Sequence, residues 1–310
     1  MVEEQRYRED ANMKKVVITG ATGFIGVHIV KRLLMDGVLV YAVVRPKSPN
    51  KKRLPENSNM HYIELEMDDI GQLAEKVPVS IDCFIHLAWE GTRAPYRDDK
   101  ALQKRNVLHA IKAMEAAKQL NVSCFIGCGS QAEYGICSGR VDETYQCKPV
   151  TEYGKAKYRA CNELKKMAEA WGIRFIWTRI FSVYGRYDYP GTLIMSCLDK
   201  MLKNEPVRVT ECIQLWDYVY VGDVADAFVK LLESVSAEGI YNVASGSTRL
   251  LKEYIEQMKR ITGSQSIIEY GALPYGKEGP ISLNPVVSKL EKAGWSAVTS
   301  FEKGIQQLLL

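Results

Sequence analysis

The chain has 310 residues, 46% of them hydrophobic and 25% charged, an ordinary globular composition that excludes wholesale disorder. Its net charge of +4 is small and its lysines and arginines form no stripe, which speaks against a nucleic-acid partner. No apolar run approaches the roughly 20 residues that span a bilayer, so no membrane partner is expected.

Residues 1–13 are charged, lack the apolar core of a secretory signal and are expected to be a disordered lead-in, with Met13 an alternative start. From 14 to about 185, apolar runs alternate with amphipathic stretches. The apolar runs predict strands at 14–20, 38–45, 60–65, 81–88, 122–130 and 174–181. Helical spacing predicts helices at 25–36, about 97–120 and about 152–171. Strands apolar on both faces, alternating with helices, imply a parallel sheet covered on both sides. After 185 the pattern is mixed. Helices are predicted near 191–204, over 221–235 with Asp223 as a candidate cap, and over 250–262 and 301–310, with a short strand at 239–245. The eight cysteines show no C-x-x-C spacing and the four histidines are far apart, so neither a metal site nor a disulfide framework is expected. Reduced thiols fit a cytoplasmic protein.

The first strand runs into Gly20-Ala-Thr22-Gly23-Phe24-Ile25-Gly26 and then a helix. Glycines in that context let the backbone approach a pyrophosphate, and the helix N-terminus offers free N–H groups. Residues Gly20 to Gly26 are therefore candidates for dinucleotide binding. The expected fold is α/β: a Rossmann-type doubly wound parallel sheet over 14–185, with 215–245 returning to it, and a smaller mixed α/β substrate domain over most of 186–310. The second strand ends in Val44-Arg45-Pro46, with no carboxylate to accept from a ribose 2′-OH. Arg45 suits a 2′-phosphate, so NADP(H) is favoured and NAD(H) kept as the alternative. Asp68 is placed to face the adenine, and Asp69 to serve instead or to cap the next turn.

Tyr153-Gly-Lys-Ala-Lys157 opens a predicted helix. Residues four apart share one helical face, so the Lys157 ammonium can favour the Tyr153 phenolate. That makes Tyr153 a candidate general acid–base, with Ser130 at the end of the fifth strand as its hydroxyl partner.

These residues resemble the extended short-chain dehydrogenase/reductases, the NAD-dependent epimerase/dehydratase family. The likeness rests on the Gly20–Gly26 loop, His86-Leu-Ala88, Asn106-Val107, Ser130…Tyr134-Gly135, Tyr153…Lys157, Thr178-Arg179…Tyr184-Gly185 and Trp216-Asp…Asp223. The resemblance implies that Leu87 and Ala88 line the cofactor and that Tyr153 and Lys157 contact the nicotinamide ribose. It also implies that Ser130 meets the C4 oxygen of a nucleotide-activated sugar, and that two long helices form a homodimer. Family dehydratases carry Asp-Glu after the catalytic hydroxyl. Gln131-Ala132 stands here, and Glu133 on an extended backbone would face away. The stretches around Trp89, Gln131 and Trp216 resemble 4-keto-deoxysugar reductases of the CDP-abequose synthase type. NADP(H)-dependent 4-ketoreduction is therefore expected, with a 4-epimerase that retains NAD and a non-catalytic NADP-binding sensor as alternatives. The family often has Asn where Ser182 stands, and a phosphate-binding Arg where Trp216 stands. Arg186, on a loop with Tyr187, Tyr189 and Thr192, is the expected replacement, with Arg179 and Arg208 as further options. The expected substrate residues are Trp89, Gln131, Ser182, Arg186, Thr192 and Trp216.

Overall fold

Seven apolar runs meet in one parallel sheet. They are β1 (Lys15–Thr19), β2 (Leu39–Val44), β3 (Met60–Glu64), β4 (Cys83–His86), β5 (Cys124–Ser130), β6 (Arg174–Ile180) and β7 (Gly239–Val243). The structure, a computed structural model, describes residues 14–137, 139–276 and 280–310, so the expected lead-in lies outside the described residues. The strand order is β7-β6-β5-β4-β1-β2-β3, and every neighbouring pair is parallel. The chain winds outward from β1 in one direction and then, from β4, in the other. That reversal opens a crevice above the C-terminal ends of β1 and β4, where a dinucleotide binds in such sheets.

Side chains along each strand alternate between two cores. Val16 and Ile18 enter one, with helices α1 (Phe24–Met35) and α5 (Val221–Glu233). Val17 enters the other, with α2 (Lys100–Gln119) and α3 (Glu152–Trp171). A third core joins α4 (Leu193–Leu202), α6 (Leu251–Thr262) and α7 (Phe301–Leu309) around Tyr184, Tyr254 and Phe301. Strand Ser182–Tyr184 pairs in parallel with Tyr218–Tyr220 in a separate two-stranded sheet, which sends Val219 into the first core and Tyr184 into the third. No helix among the described residues is long and apolar enough to cross a membrane.

Several local expectations change. Strand β4 stops at His86, because Leu87 and Ala88 turn out of the sheet above the glycine loop. The helix expected from 97 begins at Lys100, where the Asp99 carboxylate accepts from Leu102 N at 3.0 Å and fixes the start. Asp223 does not cap α5; Tyr220 holds that position. The buried Asp223 carboxylate instead accepts from Thr299 N (3.0 Å) and Thr299 Oγ1 (2.9 Å), tying down the C-terminal segment.

Candidate functional site

Strand β1 delivers the glycine loop to the crevice. Gly20 has φ +72°, and a Cβ there would stand 2.7 Å from Ala88 N. A Cβ on Gly26 would run into Gly20 O, so α1 can start this close to β1 only without one. The N-cap of α1, Gly23, brings no side-chain acceptor, and no acid lies in the first turn. The turn is left free to receive an anion. A groove of about 370 Å³ runs from Gly20, Thr22 and Gly23, past Leu87 and Ala88, to Arg45. This uncapped turn, and the backbone approach that only glycine permits, fit the pyrophosphate of a dinucleotide.

At the far end the Arg45 side chain is 58% exposed, with Nη1 3.7 Å from Glu90 Oε1. Asn50 and Glu90 share that end of the groove and carried no sequence signal. Leu65 and Met67 line the groove there, rather than Asp68 or Asp69. The Asp68 carboxylate is bonded to His109 Nε2 at 2.7 Å, and that contact holds it below the usual carboxylate range. Asp69 is exposed and caps nothing, since Glu66 is the N-cap of the turn at Met67–Gln72. Phe24 and Ile25 line the neighbouring cleft instead of this groove.

The expected catalytic pair, Tyr153 and Lys157, stands at the start of α3. Thr151 Oγ1 accepts from Gly154 N at 3.1 Å and sets the first turn. Gly154 packs against Ala132 O with no room for a Cβ, so the helix start meets the turn after β5. That contact sets the Ser130 hydroxyl beside the Tyr153 phenol, where it pulls the phenol's pKa down, while its oxygen accepts from Ala132 N at 3.2 Å. Residues 131–133 form a 3₁₀ turn rather than an extended run, and this turns Glu133 inward. Its buried carboxylate accepts from Ser130 N (2.8 Å), Trp177 Nε1 (2.9 Å) and Arg179 Nε (2.9 Å). Arg179 is thereby committed to the core and is no substrate ligand.

Lys157, one turn after Tyr153, donates to Cys128 O at 2.6 Å and lies 3.7 Å from the Trp89 ring centroid. Burial brings its ammonium down to about 8. Burial likewise pushes the Tyr153 phenol well up, with Ser130 and Arg97 pulling the other way. Trp89, expected on the substrate side, lines the dinucleotide groove. Its Nε1 donates to Gln103 Oε1 at 2.9 Å, which holds the indole over Lys157 and edge-on to Tyr153. Arg97 lies 4.7 Å from the centroid of the Tyr153 ring.

A second cavity of about 510 Å³ adjoins the groove. Ser182, Thr192 and Trp216, three expected substrate residues, meet in it, together with Tyr218 and the unforeseen Arg93 and Arg97. Trp216 Nε1 and Gln131 Oε1 are buried without a hydrogen-bond partner. Arg186 does not line the cleft: the backbone turns at Tyr187 (φ 73°), which leaves the guanidinium exposed beside the Tyr187 ring. Arg208 lies by Glu269, at 3.5 Å. No signal marked Arg93 or Arg97, because their loop has no period and only the folded chain carries it over Tyr153.

The NAD dependent epimerase/dehydratase family model matches residues 16–244. The chain is 30% identical to CDP-abequose synthase of Salmonella muenchen, over 96% of this chain and 97% of that one. It is 28% identical to a putative UDP-glucose 4-epimerase of Methanocaldococcus jannaschii, over 95% and 97%. In fold it is similar to the UDP-glucose 4-epimerase of Thermotoga maritima solved with UDP-glucose. The TM-score there is 0.86 at 24% identity, covering 95% of this chain and 97% of that one.

Proposed function

The chain belongs to the NAD-dependent epimerase/dehydratase family, and from that premise we propose that it reduces the 4-keto group of a nucleotide-activated deoxysugar with NADPH. It is an NAD(P)-dependent enzyme of that family. The observation that carries the reductase reading is Arg45, an exposed guanidinium at the far end of the dinucleotide groove with no carboxylate on the tip of β2. A reductase exchanges spent cofactor at every turnover, and a site for a 2′-phosphate draws on the reduced pool. The resemblance to CDP-abequose synthase over the whole chain points the same way.

The loop Gly20–Gly26 and the α1 N-terminus hold the pyrophosphate, Leu87 and Ala88 the middle of the dinucleotide, and Arg45 the 2′-phosphate. The bound cofactor supplies hydride to the sugar C4. Tyr153, kept protonated by burial, donates its proton to the C4 oxygen, so the carbonyl becomes an alcohol. Ser130 donates to the same oxygen and orients it. The Lys157 ammonium stabilises the phenolate left on Tyr153, which then takes a proton from solvent. Gln131, Ser182, Thr192 and Trp216 surround the sugar and its nucleotide. The chain works as a homodimer through α2 and α3, whose outer faces expose Leu108 and Tyr158.

Glu90 favours a second reading. Its carboxylate stands at the same end of the groove and suits a ribose 2′-OH, as a 4-epimerase retaining NAD would need. Cofactor content separates the two. The purified protein is denatured, any released nucleotide identified, and NADPH and NADH titrated in parallel. An empty protein that prefers NADPH supports the reductase. Tightly co-purified NAD with no gain from NADPH overturns the Arg45 argument in favour of the epimerase.

A further inference from the structure

We propose that Arg93 and Arg97, on the loop between β4 and α2, form the anion anchor that takes the diphosphate of the nucleotide-sugar substrate. This rests on the nucleotide-sugar reading above and says which residues hold that substrate's charge.

A diphosphate in the cleft needs a cation, and among the described residues that line the cleft the C-terminal wall supplies none. Trp216 lines that wall, Arg179 is locked to Glu133, Arg186 points away beside Tyr187, and Arg208 lies by Glu269. Among the residues lining the cleft, Arg93 and Arg97 bring two guanidinium groups against the single carboxylate of Asp188.

Both arginines keep donors to spare. Arg97 uses Nη1 on Thr92 O at 3.2 Å. Arg93 gives Nη2 to Asp188 Oδ1 at 2.9 Å, and its side chain is 45% exposed. Asp188 does not depend on Arg93 alone, because it also accepts from Tyr189 N (2.7 Å) and Thr192 Oγ1 (2.9 Å). Arg93 can therefore turn toward a phosphate without stranding a buried charge. Guanidinium groups suit phosphate oxygens because their donors pair in a fixed fork.

Arg97 lies over the Tyr153 ring, where the reacting sugar must sit, and Trp216 lies across the same cavity. A sugar whose C4 is at Tyr153 has its anomeric oxygen directed away from that residue. Its diphosphate then falls between Tyr153 and Trp216, alongside the 91–98 loop. The unpartnered Trp216 Nε1 is left for the nucleotide end.

The test titrates CDP, UDP and dTDP by calorimetry into the full chain and into Arg93→Met, Arg97→Met and Arg93→Lys, with the matching nucleosides and NADPH in parallel. These probes carry no sugar, so they report on the nucleotide and its charge. Each Met variant should bind the preferred diphosphate about tenfold or more weakly, with nucleoside and NADPH affinities held. Arg93→Lys should lose less, since it keeps the charge and loses the fork. Diphosphate affinity unchanged in both Met variants overturns the anchor and leaves the substrate class standing. Wild type that binds NADPH but none of the diphosphates overturns the nucleotide-sugar reading, and the anchor with it. If a Met variant also loses NADPH, its fold is damaged and the Arg93→Lys titration decides.

Discussion

Tyr153 and Lys157 were legible in the sequence because their relation is local: four residues on one helix put an ammonium beside a phenol whatever the rest of the chain does. Their environment was not legible, and it sets the chemistry. With the phenol pushed up by burial, Tyr153 stays protonated across the working range, as the proposed donor role requires. Lys157 is the group that titrates, near pH 8. Above that pH the charge proposed to stabilise the phenolate left on Tyr153 is lost. Reductive kcat/KM in the free-enzyme regime should therefore be level near neutrality and fall as pH rises through about 8. A Tyr153→Phe variant should lose about 10²- to 10⁴-fold in kcat while NADPH affinity, read by titration, is unchanged. Glu133 takes a position that strand periodicity does not indicate. An extended backbone would have turned it away, but the 3₁₀ turn carries it into the core, where it holds Ser130 N, Trp177 and Arg179. Glu133→Ala would leave Arg179 buried without its counter-ion. A loss of about 3–5 kcal/mol in denaturant unfolding is expected.

At the scale of elements, the unit that matters is β5, the turn at 131–133 and the first turn of α3. Its hydroxyl and phenol come from residues 23 positions apart and meet because Gly154 lets the helix start rest on Ala132 O. Gly154→Ala should push that start outward. Steady-state kinetics should show kcat reduced about 10²-fold, with NADPH binding in the groove little affected, since misplacing reacting groups by about 1 Å has that cost. Elements with a strong period, such as the strands of the sheet and α3, were readable to within a residue or two. The 91–98 loop was not, and it brings Arg93 and Arg97 to the cleft. Its course depends on contacts with distant residues such as Asp188, which no local pattern encodes. Arg186 failed for the same reason in reverse: its loop position looked open, but one backbone turn sends it aside.

At the scale of the molecule, the seven-stranded sheet with helices on both faces follows from strands apolar on both sides, and the glycine loop places the cofactor at its reversal point. The association of subunits is tested on the outer faces of α2 and α3. With the pairing proposed above, Leu108→Glu should give a monomer in sedimentation measurements where the unaltered chain gives a dimer, with no loss of NADPH binding; an unaltered chain that sediments as a monomer overturns the pairing. The return of β7 and α5 to the main sheet has a consequence for how the chain can be divided. A fragment ending at residue 185 would keep the glycine loop, Ser130, Tyr153 and Lys157. It would also strip β6 of its outer neighbour and remove α5 from one face of the sheet. An open strand edge beside bare apolar surface is a template for association with other copies. Such a fragment should be recovered as aggregate, so the cofactor-binding half is not a portable module: Thr192 and Trp216, on the far wall of the cleft, belong to the same stretch of chain that finishes the sheet.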